Sequence, residues 1–200
     1  MPTPHHDLEI PDHKRIREAA KREVKDQIGA IARPNERFVR ACEVVQQADL
    51  EIAAHVDERN SAALSLWFYD GVRGLNRVLG VTPNAYVEMR RRALHGDAKA
   101  AFPSSEDGSH RMSPEQRRSA AEAAGVPQVP DAAAQLPTLA ATVSAATARR
   151  DAALPFLQDT ALVLTEEPYG WSTERLAEEG GVTAKYARDA KNRAKKRRGH

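Results

Sequence analysis

The chain of 200 residues has little of what would tie it to several large classes of protein. Its one cysteine, Cys42, cannot close an intrachain disulfide, and without a second thiol no zinc site of finger type can form. Aromatics make up only 5% of the residues while Ala, Arg and Glu abound, so an all-α fold is expected over a β-sandwich, whose strands favour β-branched and aromatic side chains. No apolar run approaches the roughly 20 residues that a bilayer crossing needs. Met1–Asp12 lacks the apolar stretch of a secretory leader, which predicts a cytoplasmic protein with no membrane partner. Charge of one sign is not in excess either: 30 Lys and Arg face 28 Asp and Glu. Any polyanion would have to be recognised by where positive charge is placed rather than by its sum.

Catalytic signatures are equally scarce. There is no Gly-rich phosphate loop after a strand, no nucleophile elbow, and no carboxylate pair in an apolar setting. Glu166-Glu167 and Glu178-Glu179 read as surface acids. His5, His6 and His13 lie in a proline-containing tail without fixed geometry, so neither metal nor cofactor is expected, and the chain is not expected to be an enzyme.

What is present is helical periodicity and punctuation. After a flexible tail (1–11), a densely charged segment, 12–32, carries Ile16, Val24, Ile28 and Ile31 at helical spacing and predicts an exposed helix suited to homodimerisation. Pro34 opens a second helix, expected to end near Asp57, with Asn60 or Ser61 capping a third. Leu64, Leu66, Trp67 and Phe68 should nucleate the core of the first half. The Trp67-Phe68-Tyr69 run could instead be a stacking platform for single strands, but core is the better reading. Residues 97–137 turn to Pro, Ser, Ala and Gly, with 103–109 the most loop-like part, and read as a linker holding a short helix that starts at Ser113-Pro114. Pro155 should break the next helical pattern. The expected organisation is two small helical domains, 12–96 and 138–200.

Each domain carries one candidate reading head. In 72–93 the apolar residues Leu75, Leu79, Val81, Tyr86 and Met89 surround Gly80 at the spacing needed where two short helices cross over a tight turn. Thr82 would cap the second helix and Pro83 would take its first position. Pro83, Asn84, Val87, Glu88 and Arg91 would face away from the core. Asn84 suits adenine, Arg91 suits guanine or phosphate, and Arg73, Arg77, Arg90 and Arg92 suit the backbone. In 172–198 Leu176, Ala177, Gly181 and Val182 keep the register, although Gly180 stands where an apolar contact is usual and the tyrosine, Tyr186, comes one position early. There Thr183, Lys185, Arg188, Lys191, Asn192, Arg193, Lys195 and Lys196 are the candidate DNA contacts. Seven of the fifteen residues 186–200 are Lys or Arg against the single acid Asp189.

Both segments resemble the helix-turn-helix of bacterial sigma-factor region 4 and of many small bacterial regulators, where Leu-x-x-x-x-Gly-Val-[Ser/Thr] leads into a basic recognition helix. The resemblance covers about twenty residues in each segment. It implies sequence-specific binding of double-stranded DNA by a bacterial, nucleoid-associated regulator, and the Ala- and Arg-rich composition is that of a high-GC genome. The two motifs superpose at an offset of about 101 residues, an internal repeat that two half-sites of DNA could match. Plasmid or phage maintenance, by partition or as an architectural DNA-binding protein, is a variant of this expectation. The competing class is a helical protein-interaction scaffold, in which Arg91 and Lys185 would pair with acids.

Overall fold

The structure is a computed structural model and describes residues 8–100 and 112–199. Among them every regular element is a helix: α1 (His13–Gly29), α2 (Pro34–Phe68), α3 (Leu75–Leu79), α4 (Pro83–His95), α5 (Pro114–Ala123), α6 (Ala132–Thr165), α7 (Thr173–Gly180) and α8 (Ala184–Arg198). None is long and apolar enough to cross a membrane. The all-α expectation holds.

The order of helices repeats. A first helix, a very long helix of 35 or 34 residues, a short helix and a medium helix occur twice, as α1–α4 and α5–α8. The repeat is therefore wider than the twenty-residue motifs.

Two expected breaks are absent. The polar run Asp57-Glu58-Arg59-Asn60-Ser61 lies inside α2, because it holds no Gly or Pro and its weak helix formers cost at most about 0.7 kcal/mol each. Ala62, Ala63, Leu66 and Phe68, all buried, anchor the turns that follow. Likewise Pro155 lies inside α6. It sits on an exposed position, as does Asp151, whose carbonyl loses its amide partner and can turn to water, while Ala152, Ala153 and Leu157 are buried on either side.

The helices group into two compact units, neither of them a contiguous half of the chain. One comprises the described part of 1–13 with 53–143, the other 14–52 with the described part of 144–200. This grouping differs from the expected division at 97–137. The loop-like 103–109 lies outside the described residues, but 112–137 belongs to the first unit's core. Ala121, Val126, Ala132 and Leu136 are buried there with Leu66, Trp67, Phe68, Leu75, Val78, Leu79 and Tyr86. Two long-range hydrogen bonds secure this segment: Tyr69 Oη donates to the Val126 carbonyl (2.7 Å), and the Val129 amide donates to Ser65 Oγ (2.9 Å).

α5 itself starts as predicted, with a full capping box. Ser113 Oγ accepts from the Gln116 amide (3.2 Å) and Gln116 Oε1 accepts from the Ser113 amide (2.9 Å). In the second unit Val24 and Ile28 of α1 pack with Phe38, Ala41, Cys42 and Val45 of α2, with Leu157 and Leu164 of α6, and with Leu176 and Ala187. Each unit thus combines the short-medium helix pair of one repeat with the first helix of the other: α5 with α3 and α4, α1 with α7 and α8.

Candidate nucleic-acid interface

The two turns are built alike. Gly80 closes α3 at φ 66° and Gly181 closes α7 at φ 59°, a left-handed conformation that side chains disfavour. The Val81 amide then donates to the Asn76 carbonyl and the Val182 amide to the Ala177 carbonyl, both at 3.0 Å. Thr82 caps α4, its hydroxyl accepting from the Ala85 amide (3.2 Å), and Thr183 caps α8 by accepting from the Tyr186 amide (3.1 Å). Pro83 takes the first position of α4. The same turn chemistry therefore starts both second helices.

Their settings differ. At Gly80 the ring of His13 lies 2.6 Å from the place a Cβ would occupy, and His13 Nε2 donates to the Val78 carbonyl (2.8 Å) in a buried hydrogen bond. His13 is thus a structural residue of the first turn. Among the described residues no group of three or more His, Cys, Asp and Glu could hold a metal. Gly181 has only Gln46 Nε2 nearby, 3.7 Å from such a Cβ. Gln46 Nε2 donates to the Gly180 carbonyl (2.9 Å), tying this turn to α2.

Gly180 itself explains its departure from the usual apolar residue. A Cβ there would stand 2.9 Å from Cys42 Sγ and 3.0 Å from Phe38, so the helices approach too closely for a side chain. Burial, with the charge of Glu43 adding to it, pushes the Cys42 thiol up to about 12.

Along α4, Pro83, Asn84, Glu88 and Arg92 are exposed or partly so, while Val87 and Arg91 are half-buried; Arg73, Arg77 and Thr82 lie at the surface on the approach to it. Arg90 is a correction. Grouped by sequence with the exposed backbone-contacting arginines, it is buried at 7% exposure, its guanidinium 4.5 Å from the Trp67 ring centroid and 4.8 Å from that of Tyr86. It falls four residues after Tyr86, on the helix face turned to the core. Burial lowers its pKa, with the Tyr86 charge opposing and Arg91 adding. Trp67 and Phe68 are buried and meet edge to face with centroids 4.5 Å apart, as core residues rather than an open stacking platform.

Along α8, Ala187, Ala190 and Ala194 form the buried stripe. Lys185, Arg188, Asn192, Arg193, Lys195 and Lys196 are exposed, and Thr183 and Lys191 are at least partly so. Lys185, Arg188, Arg193, Lys195 and Lys196 make no ion pair with an acid among the described residues. The last turn is tied down instead by Arg197, which donates to Gln158 Oε1 (2.6 Å) and Asp159 Oδ1 (2.8 Å), so the terminal basic run continues the helix up to Arg198.

Aligned at the 101-residue offset, the outward positions pair as Asn84 with Lys185, Val87 with Arg188, Glu88 with Asp189 and Arg91 with Asn192. The two helix pairs share a frame but not a surface chemistry. One residue in the neighbourhood, Arg117 of α5, carried no signal in the sequence, since its placement beside α3 depends on how distant segments pack. The chain matches no known protein-family model, no curated protein and no solved structure.

Proposed function

We propose that the chain is a sequence-specific double-stranded DNA-binding protein, a bacterial transcriptional regulator acting at the nucleoid, that uses α4 and α8 as recognition helices. The observation that carries this reading is the recurrence, 101 residues apart, of one turn geometry, with a left-handed glycine and a threonine cap, that presents an exposed polar second helix. On α8 Lys185, Arg188, Arg193, Lys195 and Lys196 are exposed and make no ion pair among the described residues, while Arg197 and Arg198 face Asp159; the five unpaired cations favour a reader of phosphates over a scaffold whose charges are satisfied internally. On α4 the outward set Asn84, Glu88 and Arg91 offers groups that match adenine, cytosine and guanine edges. In this reading α8 contributes mainly affinity and α4 mainly sequence discrimination.

A homodimer through α1 would have to use its charged outer face, since Ala20, Val24 and Ile28 are buried in the unit's own core. Plasmid or phage maintenance is a second biological setting for the same activity.

The test is fluorescence anisotropy of the full chain against a mixed-sequence duplex over a range of salt. Lys185→Ala with Arg188→Ala should weaken binding to every sequence alike and flatten the salt dependence by about one unit of log-log slope for each phosphate no longer neutralised. Wild-type protein that leaves the duplex unbound at low salt would move the reading to the helical interaction scaffold.

A further inference from the structure

Arg117 lies in the first turns of α5 and is only 8% exposed, yet no carboxylate among the described residues pairs with it. Its Nε is buried without a hydrogen-bond partner among them. The guanidinium carbon stands 5.7 Å from the Trp67 ring centroid. Its Nη2 lies 2.7 Å from where a Cβ on Gly71 would be. Gly71 has φ 71°, so both its backbone and its missing side chain let the arginine lie against the chain just before α3. Two residues on is Arg73, exposed and without an ion pair among the described residues. The acid that acts on Arg117, Glu115, is itself exposed and engaged by Ser113 Oγ, which donates to it at 2.9 Å.

Arginine is almost never fully buried without an anion. Stacking on an indole at this distance is a modest compensation, and the same indole already faces Arg90 at 4.5 Å. Burial first, then the like charge of Arg73, disfavours the cationic form of Arg117. Both costs fall when an anion arrives. The planar fork of a guanidinium matches two oxygens of a phosphate group, and a buried donor such as its Nε gains an acceptor there.

We propose that Arg117 and Arg73, brought together at Gly71, form a phosphate clamp that takes a phosphate monoester or diester group: Arg117 supplies the buried fork and Arg73 the exposed second cation. Where that phosphate belongs to a DNA backbone, the inference rests on the DNA-binding reading. Where it belongs to a free phosphorylated molecule, the site stands alone.

The full chain, with Arg117→Gln, Arg117→Lys and Arg73→Gln variants, is melted in sodium phosphate and in sodium chloride of matched ionic strength. Phosphate should raise the melting temperature of the wild type by several degrees more than that of Arg117→Gln, with Arg117→Lys between, since one stabilises through binding and the other only through solvent effects. If Arg117→Gln does not fold, the exposed Arg73→Gln carries the same comparison. Equal increments in the wild type and these variants would overturn the proposal and leave Arg117 as a structural cation on Trp67.

Duplex binding then separates the sources. A salt slope reduced by about one in Arg117→Gln supports a backbone phosphate. An unchanged slope in Arg117→Gln, a variant that has lost the wild type's extra phosphate stabilisation, supports a free phosphorylated ligand. A phosphate response in a protein that binds no duplex supports the clamp and refutes the DNA-binding reading.

Discussion

Replacing Gly80 by alanine tests the architecture of the α3–α4 turn against that of α7–α8, because Gly181→Ala asks the same backbone for the same change in a different setting. Both positions are left-handed, at φ 66° and 59°, so each alanine takes on a strain of about 1 kcal/mol. At Gly181 little else follows, since the nearest atom, Gln46 Nε2, is 3.7 Å from the new Cβ. At Gly80 the new Cβ would stand 2.6 Å from the His13 ring. That ring must move, and the buried bond from its Nε2 to the Val78 carbonyl is lost with the carbonyl still inside, a further cost of about 1–3 kcal/mol.

Gly80→Ala should therefore destabilise by about 2–4 kcal/mol in total, and for a chain of this size each kcal/mol lowers the melting temperature by about 2–4 °C. Thermal unfolding followed by circular dichroism should show a fall of about 4–16 °C for Gly80→Ala and about 2–4 °C for Gly181→Ala. The gain from restricting the unfolded chain is common to both variants and cancels in the comparison. A double-mutant cycle with His13→Ala should return a coupling of about 1–3 kcal/mol, the share that depends on the ring. Equal losses for the two glycines, or no coupling between Gly80 and His13, would refute the reasoning.

Other outcomes follow from single contacts. Arg90→Ala should lower stability by about 1–3 kcal/mol, because the stacking on Trp67 and the packing of its stem both disappear, whereas exposed Arg92→Ala should stay within about 0.5 kcal/mol; chemical denaturation separates them. Cys42, with its folded pKa pushed up to about 12 from 9.0, should resist alkylation at pH 8 in the native protein and react once denatured. Because the raised pKa favours the neutral thiol, its contribution to stability is whole below about pH 9 and fades as pH rises to about 12; buried Tyr86 adds to the alkaline decline, so Cys42→Ser should show a shallower fall in alkaline melts, beginning at higher pH. Gly180→Ala should destabilise by overpacking Cys42 and Phe38, by about 1–3 kcal/mol, although its backbone is ordinary helix.

What the sequence disclosed and what it withheld divide along the range of the forces involved. The Gly-Val-Thr turns, the Thr82 cap, Pro83 at a helix start and the start of α5 at Ser113-Pro114 are interactions over three or four residues, and each was legible from spacing; that Thr183 caps α8 and Gln116 completes a box with Ser113 was not read there. The continuation of α2 through 57–61 and of α6 through Pro155 was not legible, because a polar run or a proline weakens a helix locally, while buried Ala63, Leu66, Leu157 and Ala161 packing against segments far along the chain carry each helix on.

The same holds for the segment after residue 112. Its small residues look like a linker by composition, yet Ala121, Val126 and Leu136 meet Trp67 and Leu75 in one core. In the candidate site, Arg90 differs from its neighbours Arg91 and Arg92 only by its place around the helix, about 100° per residue, enough to turn it alone onto Trp67. Arg117 could not be assigned a role at all without the approach of Gly71. His13 reads in the sequence as a residue of the tail and proves to be the packing partner of the first turn.

The most direct test of the central claim is selection of duplexes from a random library by the full chain at low and at near-physiological salt, with Asn84→Ala and Lys185→Ala selected in parallel. The account predicts an enriched motif for the wild type, relaxation at one position of that motif for Asn84→Ala, and an unchanged motif bound more weakly for Lys185→Ala. Recovery of no duplex at either salt concentration would contradict it.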